Sequence, residues 1–105
     1  MAIQYLFDST GGWIAFRKGK YIYSPNGKWI GWLPWKNDHV VNTTGQYLGT
    51  IFPADRLYAL AMRPYFGYPG YPGYPGYPGY PGYPGFAGYS MIPYNAREID
   101  KKEFE

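Results

Sequence analysis

The sequence predicts an all-β fold: a shallow pseudo-fourfold barrel of antiparallel β-hairpins with a Tyr-Pro-Gly low-complexity loop. Three observations carry this. A short pattern recurs as Gly11-Gly12-Trp13-Ile14-Ala15, Gly27-Lys28-Trp29-Ile30-Gly31 and Gly45-Gln46-Tyr47-Leu48-Gly49. Each copy follows a short apolar run and a turn cluster. The runs are rich in aromatic and β-branched residues and are too short for helices.

The first hairpin takes Tyr5-Leu6-Phe7 through the turn Asp8-Ser9-Thr10-Gly11 into the strand at Trp13. The second takes Tyr21-Ile22-Tyr23 through Ser24-Pro25-Asn26-Gly27, and Asn-Gly is a strong hairpin signal. The third takes Val40-Val41 through Asn42-Thr43-Thr44-Gly45. Asp, Asn and Ser in such clusters bond to nearby backbone, and Gly supplies positive φ. After Pro53-Ala54-Asp55, a seventh strand is expected over Arg56–Met62. Its partner is sought beyond the repeat tract. Met91-Ile92-Pro93 resembles the endings Trp32-Leu33-Pro34 and Ile51-Phe52-Pro53, so residues 87–92 are the expected closing strand. The alternative is a loose tail after Phe66.

Six Gly-Tyr-Pro triplets run from Gly67 to Pro84 and end at Gly85. Pro-Gly suits the centre of a type II turn, so one expectation is a spiral of chained turns. Another is a polyproline II helix with the tyrosines along one face. A flexible loop is the plain alternative, and six triplets with Tyr always at X are a poor collagen. The domain division that follows is 1–66 with 86–95 for the barrel, 67–85 for the repeat loop and 96–105 for a charged tail.

In strands, side chains alternate between faces. Ala15, Gly31 and Gly49 are expected near the axis, and Trp13, Trp29 and Tyr47, two residues earlier in each copy, are therefore expected to share their face. Trp29 and Trp32 should point to opposite faces. Trp32 and Trp35 are the expected exposed contacts, since Trp suits membrane and partner interfaces. Together Trp13, Trp29, Tyr47, Trp32 and Trp35 are the candidate ligand-binding residues.

The remaining composition argues against catalysis. The single histidine, His39, follows Asp38, and neighbours on a strand face opposite ways. Asp8, Asp38 and Asp55 are scattered among turns, where Asp serves the backbone. With no cysteine and one histidine, neither a thiolate nucleophile nor a zinc site is expected, and no phosphate-binding glycine motif is present. No catalytic residue, metal or cofactor is therefore expected.

Charge is uneven. Residues 1–63 hold seven Lys/Arg and three Asp, and residues 64–96 hold no charge. Arg17, Lys18, Lys20 and Lys28 lie near Trp13, Tyr21 and Trp29, a mixture seen in single-strand binders. The same aromatics suit a core and the net charge is only +3, so nucleic acid is not the expected partner. The amino terminus has no basic leader or long apolar run, which with the absent cysteines predicts a cytoplasmic protein without a transmembrane segment, a membrane-peripheral place being the alternative.

The repeated hairpins, with Trp-Ile-Gly-Trp-Leu-Pro at 29–34, resemble the four-fold β-flower family of small bacterial proteins. That resemblance covers about residues 2–62 and extends to the expected closing segment at 87–93. It implies hairpin petals around an apolar centre, with a remote likeness to Tubby C-terminal-like folds. The likeness suggests lipid contact, but no phosphoinositide-binding motif is identifiable, and the family lends no activity. The expected function is a non-catalytic binding or scaffold module, meeting a lipid, an apolar ligand or a protein through an aromatic-rich barrel. The alternative is a self-assembling structural protein, a homo-oligomer joined by the Tyr-Pro-Gly tract.

Overall fold

A computed structural model describes residues 3–35, 37–62, 64, 67–100 and 102. Eight strands follow in order: β1 Ile3–Phe7, β2 Trp13–Lys18, β3 Tyr21–Tyr23, β4 Trp29–Trp32, β5 His39–Asn42, β6 Tyr47–Phe52, β7 Arg56–Leu60 and β8 Ala96–Glu98. Each pairs antiparallel with the next. β1 also meets β7 in parallel through Phe7 and Arg56, and Phe7 N–H donates to Asp55 O at 2.8 Å. This contact closes seven strands into a mixed barrel, and β8 extends the pairing along β7.

The three body hairpins are copies at the level of single hydrogen bonds. Gly11, Gly27 and Gly45 N–H donate to the carbonyls of Asp8, Ser24 and Asn42 at 2.9–3.1 Å. The amides of Asp8, Ser24 and Asn42 donate in turn to Gly12, Lys28 and Gln46. Asp8 and Asn42 also cap their turns, with Oδ1 accepting from the amides two and four residues on. This local side-chain bonding is what the Asp/Asn turn chemistry predicts.

Each hairpin also carries a bulge, after Leu6, Ile22 and Val40. The bulge overturns one expectation about faces. Ala15 faces Leu6 but Trp13 faces Phe7, which leaves Ile14 as the extra residue. Across a bulge the two-residue alternation is broken. Trp13 and Trp29 therefore join an outer aromatic cluster, while Ile14, Ala15 and Ile30 lie in the inner one. The small residues do not share a face with the tryptophans.

The inner cluster is aliphatic and filled. Leu6, Ile14, Ile22, Ile30, Val40, Leu48 and Leu57 come from the barrel strands, and Ile99 arrives from just after β8. Gly49 makes room for it: a Cβ there would lie 2.5 Å from Ile99 Cδ1. Gly31 similarly admits the Val41 carbonyl and the Val40 side chain. Both glycines are needed for space.

Residues 87–92 form no strand. The partner of β7 is Ala96–Glu98, inside the segment expected as a charged tail. Main-chain pairing along the open edge of β7, together with burial of Ile99, outweighs the charge of Arg97 and Glu98, whose Oε1 accepts from Ser9 N–H at 2.9 Å.

Candidate functional site

The outer face of the barrel is aromatic. Phe16, Tyr23, Trp29, Trp32 and Val41 are buried there, with Tyr5, Trp13, Tyr21 and Trp35 packed against them. Sequence alternation places them: Phe16, Trp32 and Val41 each follow an inward Ala15, Gly31 or Val40. The indole N–H of Trp13 donates to Ala15 O, and that of Trp29 to Gly31 O, both at 2.7 Å. Two petals thus hold their tryptophans in the same pose.

The Tyr-Pro-Gly tract covers this face as a strap. It runs against the order of the hairpins. Pro69 lies over the third turn at Gly45, and Tyr77 over the second at Gly27. Trp29 stands between Tyr71 and Tyr74, with ring centroids 5.8 and 5.9 Å away. Trp13 stands between Tyr80 and Tyr83, at 6.0 and 6.1 Å. Tyr71 and Tyr80 are three triplets apart, so one petal of the barrel matches three triplets of the strap. The Tyr5 hydroxyl donates to Pro81 O at 2.8 Å.

Beyond the repeat, hydrogen bonds take over. Ala87 N–H donates to Gly11 O at 3.0 Å, and Ser90 N–H to Ser9 O at 2.7 Å. Arg56, buried and stacked near the Phe7 ring, donates to Asp8 O and Gly88 O at 2.7 and 3.0 Å, and to Ala87 O at 3.3 Å. It clamps the first turn and the strap's far end together.

The strap is neither of the regular forms expected. Its glycines have φ between +77° and +95°, and polyproline II needs negative φ. That φ suits the third residue of a type II turn, but residues 68–92 carry no closing turn bond. The strap is an extended ribbon. A Cβ on its glycines would meet nothing within 4 Å, so they are needed for φ alone. Its tyrosines remain 60–83% exposed although four of them touch tryptophan. Phe86, Tyr89, Met91 and Tyr94 continue the exposed row.

The candidate residues are therefore divided. Trp13 and Trp29 lie together under the strap. Trp32 is not an exposed contact: it is 6% exposed, below the Lys20 ammonium, which stands 5.8 Å from its ring. Trp35 is half-buried against the same aromatic cluster. Tyr47 stands apart, because Thr50 occupies the place that Phe16 and Trp32 hold in their repeats. Its hydroxyl pairs with Thr50 Oγ1 at 2.6 Å and accepts from Leu60 N–H at 2.9 Å. His39 Nδ1 meets the same Thr50 hydroxyl at 2.8 Å. Burial lowers the His39 pKa, against a smaller opposing pull from Asp38.

Sequence reasoning missed Arg56, Tyr5 and the strap's own role. Tyr5 and Tyr21 do occupy equivalent places before their turns, which is a usable signal. Arg56 sits in an otherwise apolar strand and offers no such cue. A cleft of about 280 Å³ opens between the strap and the barrel, lined by Lys18, Tyr21, Tyr23, Pro75, Tyr77 and Pro78. Burial raises the Tyr23 pKa, aided by Tyr21 and Tyr74. Among the described residues no group of three His, Cys, Asp or Glu could hold a metal ion, and no helix is long and apolar enough to cross a membrane.

No curated protein and no solved structure matches the chain. The family model of the 4-fold beta flower proteins matches residues 2–98, from β1 through the strap to the end of β8. With its hairpins repeated bond for bond and closed on themselves, the chain belongs to the 4-fold beta flower protein family.

Proposed function

We propose that this protein is a non-catalytic binding or scaffold module, and that it meets its partner through the tyrosines of the strap. One observation supports this above others. Trp13 and Trp29 are engaged by the strap, whereas the strap tyrosines are 60–83% exposed in an uncharged row. Large exposed apolar patches mark interaction surfaces. Tyrosine suits that work, with an apolar ring and a hydroxyl that tolerates water. The barrel then acts as the frame that holds a pliable repeat in one shape.

Self-assembly is the second reading. Residues 64–96 carry no charge, so two straps can approach without like-charge repulsion. Sedimentation velocity over a wide concentration range, beside flotation with neutral and anionic vesicles, tests both on the full chain. Association that is lost when Tyr68 and Tyr89 become serine, with native tryptophan fluorescence retained, supports contact through the strap. Association untouched by those changes moves the contact to the barrel. No association with either copies or vesicles leaves a separate protein partner as the remaining form of the proposal.

A further inference from the structure

The strap holds rings in the gaps between its tyrosines. Three extended residues span roughly 10 Å, so a ring halfway between neighbouring tyrosines lies about 5 Å from each. That is inside the range of favourable aromatic pairs, about 4.5–7 Å. Trp29 fills the gap between Tyr71 and Tyr74, and Trp13 fills that between Tyr80 and Tyr83. Among the described residues no barrel ring pairs with Tyr77 as the tryptophans pair with its neighbours. The cleft of about 280 Å³ lies at Tyr77.

Its walls state what would fit. Tyr21, Tyr23 and Tyr77 supply aromatic surface, and Pro75 and Pro78 supply apolar edges. The volume of about 280 Å³ lies just below the range of drug-sized ligand pockets, which begins at about 300 Å³, and suits a single ring. Lys18 adds a cation. Its ammonium makes no ion pair or hydrogen bond among the described residues, and no lining residue is acidic. Lys20, by contrast, is engaged over the Tyr21 and Trp32 rings.

We propose that this cleft binds a small aromatic carboxylate, whose ring enters beside Tyr77 and whose carboxylate meets Lys18. The tyrosine hydroxyls on the wall then act as neutral donors to the same anion or to a ring substituent. The site opens between strap and barrel and shares only Tyr77 with the exposed row of the strap.

The probe is 4-hydroxyphenylacetate, with 4-hydroxyphenylacetamide as a neutral control of nearly the same shape. Aromatic-resolved NMR titration of the full chain reads the site directly. The carboxylate should shift the Tyr21, Tyr23 and Tyr77 resonances in a saturable way and leave Tyr89 and Tyr94 unmoved. Lys18→Met should weaken carboxylate binding about fivefold, the scale of a partly exposed ion pair, and leave amide binding unchanged. Tyr77→Ala, at an exposed position, should abolish both while the shifts of the inner cluster stay native. Three results overturn the proposal: shifts spread evenly over all exposed tyrosines, no saturable shift at the cleft, or equal affinity for acid and amide.

Discussion

The barrel and the strap are two ways of fixing a polypeptide. The barrel is fixed by a continuous ladder of backbone hydrogen bonds around an aliphatic interior. The strap has no ladder. It is fixed by tryptophan rings between tyrosines, by a phenol bonded to one carbonyl, and by a clamp at its far end. Ladders and buried aliphatics resist local opening, whereas exposed contacts open cheaply. The strap should therefore detach from a folded barrel, and the barrel should not loosen beneath an attached strap.

The largest test strikes the barrel. Ile22→Ala removes a fully buried side chain from the inner cluster and should cost about 2–5 kcal/mol by urea denaturation. Barrel and strap signals should be lost together. A strap that persists in that variant would contradict the dependence of strap on barrel.

Arg56→Met comes next. Arg56 donates to carbonyls of both regions, and bonds to a charged donor contribute about 1.5–3 kcal/mol each. The three bonds are only part-buried, so water replaces some of them in the variant, and stability should fall by about 2–3 kcal/mol rather than by their sum. Hydrogen exchange at the Ala87 and Ser90 amides should quicken more than exchange in β2 or β6. Uniform quickening would mean that Arg56 serves the barrel alone.

Replacing Tyr80 and Tyr83 together by alanine attacks the strap. Aromatic pairs contribute about 0.5–1.5 kcal/mol each, and these rings are largely exposed, so a loss of about 1 kcal/mol is expected. Trp13 fluorescence should shift to the red while β-strand exchange protection stays intact. A cooperative loss of the barrel would show that the two regions form one unit.

The smallest effect is electrostatic. Burial holds the His39 pKa below its ordinary value of 6.5, so the unfolded chain binds its proton first. The stability contributed by His39 is present above about pH 6.5 and is lost as pH falls toward the folded pKa. His39→Gln should flatten that slope below about pH 6.5. Tyr23 has the opposite sense. Its pKa is raised above 10.0, so its contribution is present below pH 10 and is lost as pH rises beyond.

Much of the barrel is legible in the sequence because it is local. Asp8, Ser24 and Asn42 mark their turns, and each turn settles the pairing of its flanking strands. The faces of the tryptophans are not legible, because a bulge depends on how two strands meet. β8 escapes notice for a related reason. Ala96-Arg97-Glu98 has little intrinsic strand character, and its place follows from the vacant edge of β7 and the space beside Gly49. The strap shows its period in the sequence but not its seat. That seat comes from the distance between petals, which no segment contains by itself.

The match of three triplets to one petal has a consequence for variation in length. Trp29 and Trp13 grip the strap at places a whole number of triplets apart, and every triplet offers them the same groups. A chain that gains or loses a complete triplet can move along by one rung and find each tryptophan between two tyrosines again. A chain that gains one residue cannot, since the register past the insertion places proline or glycine where a ring belongs. The repeat behaves as a toothed belt on two sprockets: it accepts change in whole teeth and jams on a fraction.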